Sequence, residues 1–258
     1  EEPAVMYSIY RDTDAKYVLF VTKNGLVKKT ALDEYVKTKK KTGIAAISLK
    51  DGDELAAVSL VKDEPLILIS EKGYGIHFDS LEVGATSRTT SGVKGINLGD
   101  DDKVVAAIPI RNKTDKLAIF VQNGLAKKFD LSELPIQKRG GKGLMCYKPT
   151  DSTGMVSAAT MIEDGDSIIL DSSSTSLMVA QELKERKKLT VITNSLEVLI
   201  EFSKSKGIQV ISTGGVLKSS TLSLVGKNAE KTLENFYVDK AIISCKGLDA
   251  RKGVTDSS

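Results

Sequence analysis

Three times in the first 128 residues an apolar run meets a glycine turn and reverses. Val18-Leu19-Phe20-Val21 leads to Asn24-Gly25, Leu66-Ile67-Leu68-Ile69 to Lys72-Gly73, and Leu117-Ala118-Ile119-Phe120-Val121 to Asn123-Gly124. Return runs follow: Leu26-Val27-Lys28-Lys29, Tyr74-Gly75-Ile76-His77 and Leu125-Ala126-Lys127-Lys128. Short β-type runs about a two-residue turn predict hairpins, since glycine supplies the positive φ that the turn needs. The turn glycines stand 48 and then 51 residues apart, so the pattern is an internal repeat. Each repeat continues through a glycine-bearing loop: Lys40-Lys41-Thr42-Gly43-Ile44, Thr90-Ser91-Gly92-Val93-Lys94-Gly95-Ile96, and Lys138-Arg139-Gly140-Gly141-Lys142-Gly143-Leu144. An acidic turn or its equivalent and a last apolar strand close the repeat, at Leu55 to Val61, Val104 to Ile110 and Met155 to Ile162. Four short strands per repeat of about 50 residues predict propeller-like blades. The residues before Tyr17 read as the tail of a preceding blade.

From Asp166 the pattern changes. Ser167 to Leu170, Thr190 to Thr193, Gln209 to Ser212 and Ala241 to Cys245 read as strands, and Ser176 to Lys187, Leu196 to Lys204 and Lys227 to Phe236 as helices. Leu177, Ala180 and Leu183 fall on one helical face. Strand and helix in alternation predict a mostly parallel sheet with crossover helices. The fold class is therefore multi-domain: an all-β repeat domain over 1–164, then an α/β domain over 165–258. Glu163 to Leu170 serves both patterns, with no Pro- or Ser-rich linker between them.

Composition narrows the function classes. The 258 residues are 41% hydrophobic and 28% charged, as in an ordinary globular protein. No apolar run approaches the roughly 20 residues of a membrane-spanning helix, and the acidic Glu1-Glu2-Pro3 start is unlike a signal peptide. Two cysteines, Cys146 and Cys245, fit a reducing cytoplasm better than a disulfide framework. A single histidine, His77, excludes a His-rich metal site, and it reads as an exposed strand residue. Phe20, Tyr35, Phe78, Phe120 and Phe129 read as core packing. No cofactor or metal is implied. Net charge is 37 − 34 = +3, with 24 basic and 23 acidic residues up to 165 and 13 and 11 after it. A nucleic-acid partner must therefore be argued from local clustering.

That clustering lies in the loops. Gln137-Lys138-Arg139-Gly140-Gly141-Lys142-Gly143 resembles the seven-residue box in the C-terminal domain of gyrase A, a DNA-wrapping family shared with topoisomerase IV. The Asn-Gly-hydrophobic-X-Lys-Lys hairpins and Ser87-Arg88-Thr89-Thr90-Ser91-Gly92-Val93-Lys94-Gly95-Ile96 resemble other blades of that family, over roughly residues 5 to 164. The resemblance implies a partial β-pinwheel whose basic rim wraps double-stranded DNA. Gyrase or topoisomerase subunits would be its partners in a larger assembly. Side chains and glycine N–H groups on such loops reach phosphates. Lys39, Lys40, Lys41, Arg88, Lys94, Lys138, Arg139 and Lys142 recur at equivalent places and are expected along one rim, with Gln137, Gly140, Gly141 and Gly143 completing the box. Three blades are recognisable, fewer than the family's full wheel. The breakage-and-reunion domain with its catalytic tyrosine is absent from this sequence, so no topoisomerase catalysis is expected of it alone.

Asp171-Ser172-Ser173-Ser174-Thr175-Ser176, Thr193-Asn194-Ser195 and Thr213-Gly214-Gly215 follow three successive strand-like runs. With Ser223 to Gly226 and Lys246-Gly247-Leu248-Asp249, they resemble the C-terminal sensor domain of DeoR-type repressors over about 166 to 258. The resemblance implies a ribose-5-phosphate isomerase-like fold and a phosphorylated-sugar effector. Hydroxyl-rich loops at strand C-termini, each opening a helix, offer donors to a phosphate; the same residues serve equally as helix N-caps. The effector candidates are Asp171, Ser172, Ser174, Thr175, Ser176, Thr193, Asn194, Ser195, Gly214, Gly215 and Lys246. The family more often carries glycine where Ser173 stands, and this sequence has no winged helix-turn-helix.

The leading reading is a DNA-wrapping module joined to an effector-sensing domain. The alternatives are a transcriptional regulator's sensor for a phosphorylated sugar, and a fusion or fragment of the two families. A sugar isomerase is disfavoured because no carboxylate or lysine constellation beyond the binding loops is recognisable.

Overall fold

A computed structural model describes residues 13–37, 43–111, 116–244, 247–249 and 253–255. Lys39, Lys40, Lys41, Cys245 and Lys246 therefore lie outside the described residues. The chain divides into two compact units, Glu1–Asn123 with Lys127–Met161, and Gly124–Ala126 with Ile162–Ser258.

The first unit is built from the three repeats. The first supplies β1 (Tyr17–Thr22), β2 (Leu26–Ala31), the short helix α1 (Asp33–Val36) and β3 (Leu55–Val61). The second supplies β4 (Leu66–Ser70), β5 (Tyr74–Phe78), β6 (Val93–Lys94) and β7 (Val104–Pro109). The third supplies β8 (Lys116–Val121), β9 (Ala126–Asp130), β10 (Leu144–Met145) and β11 (Val156–Met161). The three hairpins form where the pattern places them, with Gly25, Gly73 and Gly124 at φ of 82°, 85° and 77°.

The fourth strand of each blade is not where the repeat arithmetic puts it. The sheets run β3-β1-β2-β6, β10-β5-β4-β7 and β11-β8-β9. β6, from the second repeat, pairs with β2 of the first through Leu26↔Lys94 and Val27↔Val93. β10, from the third repeat, pairs with β5 of the second through Leu144↔Gly75 and Met145↔Tyr74. The second and third repeats thus each close the sheet of the repeat before them. Among the described residues the third sheet has three strands.

The blades stack through the two faces of their central strands. Side chains alternate across a strand, so Leu66 and Leu68 of β4 pack with Leu19, Val21 and Val27 of the first blade. Ile67 and Ile69 pack with Leu117, Ile119 and Val121 of the third. All five residues of β4 are buried, which explains its unbroken apolar run. A register shift recurs at the edge of each blade, at Val21/Thr22, Ile69/Ser70 and Val156/Ala158. Phe20, Phe78 and Phe129 are core residues, and Tyr35 and Phe120 are half-buried. Cys146 is buried too, and burial pushes its thiol up to about 11.

Two lysines contradict the usual association of charge with surface. Lys28 is 1% exposed, and its ammonium donates to Ala46 O at 2.5 Å and Arg88 O at 2.8 Å. Burial first, and then Arg88, hold it below the ordinary lysine range. Lys29 donates to Ser80 O at 3.1 Å. His77, at the equivalent position of the second repeat, is half-buried rather than exposed; its Nδ1 donates to Leu134 O at 3.0 Å. Positions 28, 29 and 77 tie a hairpin to the repeat that follows it.

The second unit holds β12 (Ser167–Leu170), α2 (Ser174–Leu183), β13 (Leu189–Thr193), α3 (Leu196–Phe202) and β14 (Ile208–Ser212). There follow the hairpin β15 (Val216–Lys218) and β16 (Ser223–Val225), then α4 (Lys227–Leu233) and β17 (Lys240–Ile242). The pair β18 (Gly247–Asp249) and β19 (Gly253–Thr255) comes last. The main sheet runs β14-β13-β12-β17, and all three pairings are parallel. The hairpin β15–β16 falls where the sequence suggested only loops. Among the described residues no helix is long and apolar enough to cross a membrane.

The tethers yield a prediction. Replacing Lys28 with alanine removes two charged hydrogen bonds and leaves a buried void, so it should cost about 3 kcal/mol in urea denaturation. Its exposed equivalent Lys127, whose ammonium donates to Cys146 O at 3.2 Å and lies 5.8 Å from the centre of the Phe129 ring, should cost about 1 kcal/mol or less when replaced.

Candidate functional site

The basic loops are arches pinned at both ends to the preceding hairpin. In the second repeat, Thr86 N–H donates to Lys29 O at 2.8 Å and Gly95 N–H to Gly25 O at 2.8 Å. In the third, Gln137 N–H donates to His77 O at 2.8 Å and Cys146 N–H to Gly73 O at 2.9 Å. Glycine is required where each arch crosses its acceptor strand. Gly92 has φ 90°, and a Cβ there would sit 2.6 Å from Val27 O; at Gly143, φ 76°, a Cβ would run into Gly75 O. The loops are therefore integral parts of the blades.

Neighbouring arches also bond to one another. Asn97 N–H donates to Gly141 O at 2.8 Å, and Gly140 N–H to Gly95 O at 2.6 Å. Ser48 N–H donates to Thr90 O at 3.1 Å, which repeats the Asn97–Gly141 bond one blade earlier. The hydrogen bonds place the three arches side by side.

The basic residues on them fall into two groups. Lys94, Lys138 and Lys142 are exposed. The Lys94 ammonium donates to Asn97 Oδ1 at 3.1 Å, and that of Lys142 lies 4.8 Å from the centre of the Tyr74 ring. The arginines are engaged. Arg139 donates through Nε to Glu82 O at 2.9 Å and through Nη1 to Lys94 O at 3.0 Å. Its backbone N–H donates to Glu82 Oε2 at 3.2 Å. Arg88 Nε lies 3.5 Å from Glu34 Oε2. Gln137, Gly140 and Gly141 are half-buried in the third arch. The box and second-arch candidates thus meet on adjoining arches; Lys39, Lys40 and Lys41 cannot be placed with them. Glu82, Asn97 and Tyr74 were missed. The signal for Glu82 was available, since an acid recurs at 34, 82 and 133 with the period of the turn glycines.

In the second unit the chain runs outward from β12 to β13 and β14, then returns to β17 on the other side of β12. Such a reversal opens a crevice at the strand carboxyl ends, here between the loops after Leu170 and Ile242. Asp171 spans it: Oδ1 accepts from Ser173 N–H at 3.1 Å and from Ser176 Oγ at 2.6 Å, and Oδ2 accepts from Ser244 N–H at 2.7 Å. Ser176 is fully buried, Thr175 is buried, and Ser195 caps α3 by accepting from Val198 N–H at 3.3 Å. Thr193 Oγ1 accepts from Ser195 N–H at 3.0 Å. Asn194 O accepts from Leu224 N–H at 2.7 Å. Gly214 and Gly215 take φ of 65° and 111° before β15. Asp171, Ser176, Thr193, Asn194 and Ser195 therefore shape the loops. The Ser172 and Ser174 hydroxyls have no partner among the described residues. Ser173 Oγ accepts only from Ser176 N–H in the first turn of α2, at 3.1 Å, so the backbone N–H groups of Ser174 and Thr175 remain for another acceptor, whereas the Thr175 hydroxyl donates to Gly124 O. No group among the described residues could hold a metal ion.

Comparison with known proteins places both units. Residues 16–62, 64–111 and 115–169 match the DNA gyrase C-terminal domain, beta-propeller, and residues 156–258 the DeoR C terminal sensor domain. The gyrase A protein of Lawsonia intracellularis is 33% identical over 184 residues, which is 69% of this chain and 22% of that protein. An uncharacterized HTH-type transcriptional regulator of Bacillus subtilis is 46% identical over 101 residues, 39% of this chain and 39% of the regulator. The crystal structure of the C-terminal domain of DNA topoisomerase IV superposes with a TM-score of 0.56 at 31% identity, covering 61% of this chain and 50% of that one. The chain thus spans well under half the length of these curated relatives. Its three repeats make it a member of the DNA gyrase C-terminal domain, beta-propeller family, and its remaining residues resemble the DeoR C-terminal sensor domain.

Proposed function

We propose that the first unit binds double-stranded DNA along its arches, without base readout and without topoisomerase catalysis of its own. The observation that carries this reading is the hydrogen-bonded contact between arches, which brings Lys94, Lys138 and Lys142 onto one connected backbone. Exposed lysines on such a scaffold neutralise phosphates as point charges and carry no sequence information. Gyrase or topoisomerase subunits form the assembly in which such a module would act. Because neutralised phosphates release counterions, affinity should fall with salt. Replacing Lys138 and Lys142 together with alanine should weaken binding equally on unrelated duplexes and reduce the magnitude of the log-log salt slope by about 1.8. Fluorescence anisotropy across a salt series measures both; an unchanged slope would remove the reading.

A second reading concerns the other unit, which we take to be ribose-5-phosphate isomerase-like and to bind a phosphorylated sugar. It rests on the reversal of strand order at β12, with the Ser172 and Ser174 hydroxyls and the start of α2 at the crevice. A sugar phosphate that binds only the folded unit should raise its melting temperature with concentration, by the equivalent of about 2.7 kcal/mol at a hundredfold excess over Kd. Ser174→Leu should abolish the shift and leave the melting temperature without ligand nearly unchanged, since Ser174 is exposed. A flat response of the parent chain to a panel of sugar phosphates would count against this site.

A further inference from the structure

We infer that Arg139 and Glu82 form a staple that sets the position of the DNA-binding arch, so that Arg139 is a positioning residue. The inference rests on the DNA-binding reading above. It also separates two roles that the sequence merges, because Lys138, Arg139 and Lys142 look alike as charges on one glycine-rich loop.

The geometry distinguishes them. Arg139 turns its Nε to Glu82 O at 2.9 Å and its Nη1 to Lys94 O at 3.0 Å, while Glu82 Oε2 accepts the Arg139 backbone N–H at 3.2 Å. Glu82 ends the single 3-10 turn Ser80–Glu82 that follows β5. The second repeat thus grips the third arch from two places, its 3-10 turn and its own arch. The planar guanidinium suits this task because its fork engages two carbonyls at once, which an ammonium on a flexible stem does not. The equivalent two positions also meet one blade earlier, there side chain to side chain, with Arg88 Nε 3.5 Å from Glu34 Oε2. Glu34 and Glu82 are 48 residues apart and Arg88 and Arg139 are 51 apart, the two spacings of the turn glycines. The two positions meet in both blades, through backbone groups in one and as a side-chain ion pair in the other, so their pairing belongs to the construction of the rim. The Gly140 N–H to Gly95 O bond, 2.6 Å, lies next to the staple and reports whether the arches remain joined.

The test compares Glu82→Ala, Glu82→Gln, Arg139→Lys and Lys138→Ala/Lys142→Ala in the full chain. Affinity for a short linear duplex is measured by anisotropy at several salt concentrations, and Gly140 amide exchange by NMR. Simple electrostatics predicts that Glu82→Ala, which removes a negative charge beside the rim, binds DNA more tightly. It also predicts that Arg139→Lys, which keeps its charge, binds unchanged. The staple predicts the opposite: both lose about tenfold in affinity and both lose Gly140 protection. Glu82→Gln, whose amide oxygen still accepts the Arg139 N–H, should retain parental affinity and protection. Parental affinity for Arg139→Lys, tighter binding by Glu82→Ala and unchanged Gly140 exchange would overturn the staple. If Lys138→Ala/Lys142→Ala binds as the parent does, the DNA reading fails instead. The staple is then decided by Gly140 exchange alone: lost protection in Arg139→Lys and Glu82→Ala upholds it, and retained protection overturns it.

Discussion

A β-hairpin standing alone leaves a row of N–H and C=O groups along its outer edge, and that edge has to be paired or covered. In this protein the next repeat pairs it. β6 closes the sheet on β2, and β10 closes the sheet on β5. Everything distinctive in the first unit follows from this exchange. Because the closing strand arrives from the following repeat, the chain must cross from blade to blade, and the crossing segment becomes the arch. Because each arch is anchored on a neighbour, successive arches lie side by side and bond to each other. Lys28, Lys29 and His77 reach carbonyls of the following repeat, so the exchange is held by side chains as well as by the ladder. The basic surface is thus a by-product of how the blades are closed.

The parts of this arrangement that were legible in the sequence are those written in local chemistry. Asn24-Gly25 and Lys72-Gly73 specify turns whatever surrounds them, and the apolar run Leu66 to Ile69 reads as a buried strand. The exchange itself was not legible, because β6 and β10 are two residues long and carry no periodicity of their own. Their identity depends on which edge is open nearby, which is a property of the assembled blades. Lys28 misleads for the same reason: a Lys-Lys pair on a return strand looks solvated until the following arch covers it. The equivalent Lys127 is exposed, so identical local sequence has two outcomes set by the neighbouring segment.

The second unit shows the complementary difficulty. Its strands and helices were legible from the alternation of periods, and the parallel sheet follows that order. Its candidate ligand residues were chosen for their hydroxyls, and a hydroxyl after a strand serves a ligand or a helix cap with equal ease. Ser195 is a cap, and Ser176 is buried against Asp171. Only the placement of Asp171, with one oxygen on the start of α2 and the other on Ser244, shows that it joins the two sides of the crevice. Ser172 and Ser174 are distinguished from their neighbours by free hydroxyls, and Ser174 also by its exposure, which composition cannot reveal.

The central claim is that the arches are structural members of the blades they close. Native-state hydrogen exchange tests it most directly, because amides that open only with the whole domain exchange at the rate set by global unfolding, whereas loop amides open locally. The amides of Thr86, Gly95, Gln137 and Cys146, which bond to carbonyls of the preceding hairpin, should exchange with the same free energy as those of Leu68 and Ile69 in β4. Exchange of these four amides at the rate of a solvent-exposed loop, with β4 still protected, would contradict the account.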